Sequence, residues 1–431
     1  MQRIAALALT GLLAAAAPAP TTLRTDIERD YRTNLAPLFL HFHRNPELSF
    51  RETRTAARMA QELRRLGLTV TERVGGTGVV AVLRNGAGPT LLMRADMDGL
   101  PVQERSGLSY ASTVRQTDVD GVEKPVMHAC GHDTHITSLV GTARQLIARK
   151  DRWAGTIVFI VQPAEERIGG ARAMIEDGLY TRFPRPDYAV AFHVNAQDEA
   201  GMIGVPEAIA YSSSDALEIK VRGVGAHGAS PHRGVDPVLV ASQIVVSLQS
   251  LVSRTIDPLA PGVVTVGSIH GGTKHNIIGE EVDLQLAVRA DTPVVRQQLL
   301  DGIKRIAEGV ARAHGVPETL LPTIDISEST PPTANDPATA RRVAVALTRE
   351  MGAERMSRKQ REGMGAEDFA YFVAPEHGVK GVYMSVGGTP AAALPTAASH
   401  HSPLFKVEPE PAIRAGTEAM TIAAMELLAK P

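Results

Sequence analysis

Thr156-Ile157-Val158-Phe159-Ile160-Val161-Gln162-Pro163-Ala164-Glu165-Glu166 is the stretch that decides the architecture. Residues 156–161 run apolar without alternation and then give way abruptly to polar side chains. Such a run predicts a strand covered on both faces, as in a helix-flanked parallel sheet. Residues 188–192 and 381–386 read the same way. Residues 79–83 and 90–93 are short apolar runs around Asn85-Gly86, a turn signal. Helical periodicity lies between the strands. Residues 52–66 put Met59, Leu63 and Leu66 on one side, with Gly67 just past the end, and residues 134–148 form a second helix. Buried strands alternating with helices predict an α/β fold, a three-layer domain around a mixed, mainly parallel sheet.

Residues 213–330 read differently. Positions 216–222 alternate like a half-buried strand, and 236–253 form a helix opened by Asp236-Pro237, with proline at its first position. Strands at 263–269 and 282–289, a helix at 293–313 and a strand at 323–327 complete β-α-β-β-α-β, a ferredoxin-like two-layer motif. The expectation is an inserted domain over 213–330. The first domain then spans 21–212 and 331–431, resuming near Pro331-Pro332 with a helix at 338–351.

Polar residues cluster where the first domain's strands end. Asp96 and Asp98 follow one strand, Glu165-Glu166 a second, His193 a third and Gly387-Gly388 a fourth. Ligands of open α/β sheets bind beyond the carboxyl ends of the strands. One cleft is therefore expected to collect two carboxylate pairs, a histidine and a glycine pair facing the substrate. The densest chemistry is His128-Ala129-Cys130-Gly131-His132-Asp133, which holds the only cysteine. Thiolate and imidazole are preferred ligands of Zn²⁺. Adjacent glutamates leaving a strand point in different directions, so one can ligate while the other faces water as a general base. With His193 and the pair His400-His401, these groups fit a two-metal site that activates water.

Composition narrows the function. A chain of 431 residues suggests two or three domains. Its 45 basic and 47 acidic residues give a net charge of −2, without the basic excess of a nucleic-acid binder. Aromatic residues at 4% are too few for base-stacking platforms. One cysteine excludes an intrachain disulfide. Arg3 followed by an apolar run over 4–17 predicts a cleavable secretory signal within residues 1–20. The run is short of the roughly 20 residues a spanning helix needs. The alternative is an uncleaved anchor. The mature protein is expected in the periplasm or outside the cell, with no later membrane span.

From His41-Phe42-His43-Arg44-Asn45-Pro46-Glu47-Leu48-Ser49 to His401-Ser402-Pro403 the chain resembles a known family. Its most specific marks are His128-Ala129-Cys130-Gly131-His132-Asp133 and Gly365-Ala366-Glu367-Asp368-Phe369. The family is the metal-dependent amidohydrolase branch of the aminoacylase, hippurate hydrolase and glutamate carboxypeptidase-like metallopeptidases. The resemblance implies metal ligands at Cys130, His132, Glu166, His193 and His401, a general base at Glu165, and Asp98 orienting a ligand imidazole. Preferring His401 to His400 rests on its spacing to Pro403. It further implies two divalent ions per chain (Zn, Mn, Co or Ni) and an N-acyl amino acid or short peptide as substrate. Asn276 and Arg289 would hold the substrate carboxylate. His227 would reach a neighbouring subunit's site in a homodimer joined through the inserted lid domain. Two positions depart from relatives. Asp96 stands where the carboxypeptidase branch has a histidine ligand, and Ile277-Ile278-Gly279 replaces the usual Ile-Pro. The rival readings are a carboxypeptidase or dipeptidase with the same chemistry, and a non-catalytic binding relative.

Overall fold

The computed structural model describes residues 22–359 and 361–430; the expected signal segment, residues 1–20, lies outside them. A seven-stranded sheet has four parallel strands at its centre, in the order Gly155–Gln162, Thr90–Asp96, Tyr188–Glu199 and Lys380–Thr389. Antiparallel strands Gly78–Asn85 and Thr69–Val74 extend one side, and Ile203–Gly204 extends the other. The unbroken apolar runs are explained by cover on both faces. Ile157, Phe159 and Val161 enter one core with Leu91, Met93 and helix residues Leu139 and Leu146. Val158 and Ile160 enter a second core, with Met174 and Phe369 on the opposite face. Side chains alternate across a strand, so one apolar run feeds both layers. Truncating a side chain as enclosed as Phe159 would cost roughly 3–5 kcal/mol.

Register places the chemistry. Asp96 pairs with Gln162, and His193 with Ser385, so the polar ends of neighbouring parallel strands emerge on one edge. The helix His132–Ala148 starts at that same edge and packs against the C-terminal helix Pro409–Leu427.

The second sheet is antiparallel throughout, in the order Gly262–Gly271, Glu281–Ala290, Ser214–Arg222, Thr323–Thr330. Val282, Leu284, Leu286 and Val288 point into a separate core with Ile244 and Leu248 of Pro237–Ser250 and Leu299 and Ile303 of Pro293–Ala313. Asp236 and Thr292 cap those helices through Val238 and Val295 N–H. One expectation needs correcting. Among the described residues, Pro237–Thr255 is long and apolar enough by composition to cross a membrane. One face of it packs on this sheet, and Val238, Leu239, Val246 and Val252 on the other remain exposed.

Candidate functional site

Local backbone geometry aims the side chains. Gly131 turns the chain at φ 84° into the helix His132–Ala148, where a Cβ would overlap Val194. Only glycine combines that angle with that contact. The turn Glu165–Arg167 is bracketed by Ala164 and Ile168, at φ 47° and 50°. Left-handed non-glycine residues are costly and persist where surroundings over-determine them. Here Glu52 Oε1 accepts the Ala164 N–H at 2.8 Å, and Glu165 carbonyl accepts the Ile168 N–H at 2.7 Å. His401 is also left-handed, at φ 65°, and its N–H donates to the Ala129 carbonyl.

Hydrogen bonds decide which ring nitrogens are free. His132 Nδ1 donates to Asp98 Oδ1 at 3.2 Å, leaving Nε2 with no partner. Three carboxylates converge on that nitrogen: Asp96 at 3.6 Å, Glu166 at 3.8 Å and Glu165 at 3.9 Å. Asp98 Oδ2 accepts from Ser49 Oγ and the Glu166 N–H, so it fixes both His132 and the glutamate turn. His193 Nδ1 donates to the Val194 carbonyl, turning Nε2 toward Cys130 Sγ at 3.4 Å. His400 Nε2 accepts the Ala196 N–H, so a neutral ring presents a proton, not a lone pair, to Cys130 Sγ at 3.6 Å. His401 Nε2 instead lies 3.3 Å from Glu166 Oε2. His135 is spent on both nitrogens, donating to Asp96 at 2.6 Å and accepting from Val194 N–H.

The electrostatics call for a cation. Burial, then the Glu367 and Glu166 charges, push Glu165 well above the usual carboxylate range. Burial raises Glu166 to about 7 against the pull of His132. Burial, with Glu166 and Glu165 beside it, holds the Cys130 thiol well above its usual value. Burial opposes charge on His132, but Asp96 and Asp98 outweigh it and raise the ring to about 10. Cys130 converges with Glu166 and His401 and also with His193 and His400, and His132 converges with Asp96 and Glu165 and also with His135 and His193. Crowded acids, an unpartnered imidazole nitrogen and an unpartnered Glu166 Oε1 are what divalent ions would satisfy.

Behind the site lies a network that the sequence does not announce. Arg94 is fully enclosed and donates to Asp96 at 2.7 Å, Glu367 at 2.7 Å, Asp368 at 3.4 Å and Gln162 at 2.8 Å. Tyr383 donates to Glu367 at 2.5 Å. A second buried cluster sets His43 between Asp133 at 2.7 Å and Glu104 at 3.2 Å. Asp96 already accepts from Arg94 through Oδ2 and from His135 through Oδ1, which sets it apart from His132 and Glu165 in the candidate ligand set.

A cavity of 1050 Å³ opens over Cys130, Glu165, Glu166, His193 and His401. Arg289, half-buried and without an ion pair among the described residues, enters it from the second sheet. The other substrate-side residues stand elsewhere. His227 and Asn276 are neighbours on an exposed ladder, where Gly228 N–H donates to the Asn276 carbonyl, outside this cavity. Gly387 and Gly388 are not among the residues that line the cavity either. A Cβ on Gly387 would overlap the Glu199 carbonyl oxygen, and one on Gly388 would meet Val407. Close packing requires those glycines.

Comparison with known proteins agrees with this geometry. Residues 92–426 match the model of Peptidase family M20/M25/M40. A hippurate hydrolase of Campylobacter jejuni is 36% identical over 333 residues, covering 77% of this chain and 82% of its own. Thermostable carboxypeptidase 2 of Saccharolobus solfataricus is 39% identical over 277 residues, 63% of this chain and 67% of its own. The structure of the Bacillus subtilis YXEP protein, described as a dinuclear metal binding peptidase from the M20 family, superposes with a TM-score of 0.77. It is 28% identical, and the match covers 93% of this chain and 99% of that one. The chain belongs to Peptidase family M20/M25/M40 and is a metal-dependent amidohydrolase or peptidase.

Proposed function

We propose that this is a two-metal amidohydrolase that cleaves N-acyl amino acids or short peptides. Cys130, His132, Glu166, His193 and His401 would hold two divalent ions, which lower the pKa of a bound water and polarise the scissile carbonyl. Glu165 accepts the proton of the attacking water and delivers it to the leaving amine. Asp98 fixes the His132 tautomer, and His400 donates its N–H to the Cys130 sulfur. Arg289 takes the substrate carboxylate as a bidentate donor and so sets the position of the amide.

The observation that carries this reading is the unequal setting of the two glutamates. Glu166 is held by Asp98 through its N–H and its Oε2 lies 3.3 Å from His401, whereas among the described residues Glu165, on the same cavity wall, has no imidazole nearer its carboxylate than His132 at 3.9 Å. Glu165→Gln should keep both ions and lose turnover by roughly two to four powers of ten. Glu166→Gln should lose metal, measured by elemental analysis. Swapped outcomes would reverse the two roles.

The resemblance to a carboxypeptidase supports a second reading, peptide hydrolysis at a free C-terminus. Relative turnover of N-acetyl amino acids and unblocked dipeptides separates the two. Quaternary structure and location complete the proposal. The exposed face of Pro237–Thr255 and the edge strand Gly262–Gly271 offer the contact for a second copy of the chain. In that homodimer His227, with Asn276 beside it, serves the partner's cavity. The apolar run at 4–17 would export the protein to the periplasm or beyond.

A further inference from the structure

A second pocket lies away from the cavity. The helix Leu23–Asp30, the turn at residues 200–202, Arg355 and the helix Pro409–Leu427 enclose 320 Å³. It shares no lining residue with the catalytic cavity. Three guanidinium groups, of Arg24, Arg355 and Arg414, face it, together with one carboxylate, Glu418. We propose that this pocket binds a small organic carboxylate with an apolar body.

The charge balance is the first argument. Glu418 is almost fully enclosed and is shared: Oε2 accepts from Arg355 at 2.5 Å, and Oε1 lies 3.5 Å from Arg24. Arg414 turns partly outward, to Glu410 at 2.9 Å and Glu28 at 3.5 Å. Arg414 thus has acidic partners of its own, and Arg24 and Arg355 share the single carboxylate of Glu418. Donors also remain unused. Among the described residues neither Arg355 Nε nor Arg24 Nη1 has an acceptor. Each of these arginines therefore keeps one free N–H, and a carboxylate can accept one charge-assisted hydrogen bond from each.

The remaining wall is the second argument. Ile27, Ala200, Met202 and Pro411 give the pocket an apolar side. That side suits a hydrocarbon body attached to the anion and offers nothing to an oxygen-rich ion such as phosphate. The volume suits a molecule the size of an amino acid or a short-chain acid. Both sources carry the same chemistry, a carboxylate on an apolar body.

The turn at 200–202 also joins the pocket to the catalytic edge. The Ala200 N–H donates to the Thr389 carbonyl and the Gly201 N–H to the Gly387 carbonyl. Residues 193–198 before the turn and 204–211 after it contribute to the lining of the catalytic cavity. An occupant would thus rest on the link between two cavity walls.

Calorimetric titration of the metal-loaded full chain tests the proposal. Arg289 could itself take a carboxylate, so the titration is done in Arg289→Ala enzyme. We expect 4-methylpentanoate to bind at one per chain. Adding Arg24→Gln and Arg414→Gln, which leaves the Arg355–Glu418 pair in place, should weaken it by at least about tenfold, about 1.4 kcal/mol. If that variant fails to fold, Arg24→Gln alone, at a side chain 51% exposed, should weaken binding about threefold. No saturable binding in the Arg289→Ala enzyme would overturn the proposal, as would affinity unchanged by the arginine substitutions. Tighter binding of inorganic phosphate than of 4-methylpentanoate would overturn the ligand class. Leucine supplies the same carboxylate and body with an added ammonium. Its rank against 4-methylpentanoate tells an amino acid from a free acid, and either rank supports the site.

Discussion

Replacing Arg94 with methionine removes the guanidinium from a fully enclosed acidic group. Three carboxylates lie within 3.4 Å of its guanidinium. The cost depends on how many of them are left charged. Burial and the Glu367 charge already raise Asp368 to about 8, so it is largely protonated near neutrality. Asp96 keeps its hydrogen bond to His135. Glu367 alone is orphaned, retaining only Tyr383 and the Phe369 N–H. One uncompensated buried charge costs about 3–5 kcal/mol, a large part of the roughly 5–15 kcal/mol that holds a folded protein. Neutralising a buried charge removes its desolvation cost, so protonation favours the folded variant. The gap to wild type should therefore narrow as pH falls from 8 to 5, toward the roughly 1–2 kcal/mol of lost neutral hydrogen bonds. Urea unfolding followed by the fluorescence of Trp153, the only tryptophan and fully buried, measures both quantities. A gap under about 1 kcal/mol at pH 8, or one that widens toward pH 5, would refute the charge count.

His43 offers a second pH test. Burial disfavours its charge, but hydrogen bonds to Asp133 and Glu104 raise it to about 9. Its contribution, on the order of 3 kcal/mol, should be full below about 6.5 and disappear as pH rises through about 9; His43→Asn should flatten stability over that window. His401→Ala should lose metal, whereas His400→Ala should retain it and weaken affinity about tenfold through the Cys130 sulfur, both read by competition with a chromogenic chelator. Mixing inactive His227→Ala chains with inactive Glu165→Gln chains should restore activity through hybrid dimers holding one complete site. A fully active monomer in sedimentation analysis would rule that arrangement out.

The central strands and the glutamate pair were legible because their signals are local. An apolar run ends, carboxylates begin, and register does the rest. Arg94 was not legible, because a lone arginine at the end of a strand looks solvated and its partner Glu367 is 273 residues away. The helix Pro409–Leu427 was missed for another reason. It is buried nearly all round, so its alanines and small polar residues show no one-sided apolar stripe. The edge strand Thr69–Val74, mostly exposed and mixed with Glu and Arg, lacks a strand's usual alternation. For Gly387 and Gly388 the position near a strand end suggested ligand contact, and only the neighbouring residues reveal their packing role.

The late helix has a consequence for how the chain comes into being. Pro409–Leu427 packs against His132–Ala148, and the Ala154 N–H donates to the Leu428 carbonyl. Until Pro409–Leu427 has emerged from the ribosome, the principal core has no lid over one of its layers. The second sheet is contiguous in sequence and holds its own core. It can close while the earlier half waits, open and apolar, for a helix that has not yet been made. If the second sheet folds on its own, deleting residues 409–428 should leave it protected from proteolysis while the first sheet is not.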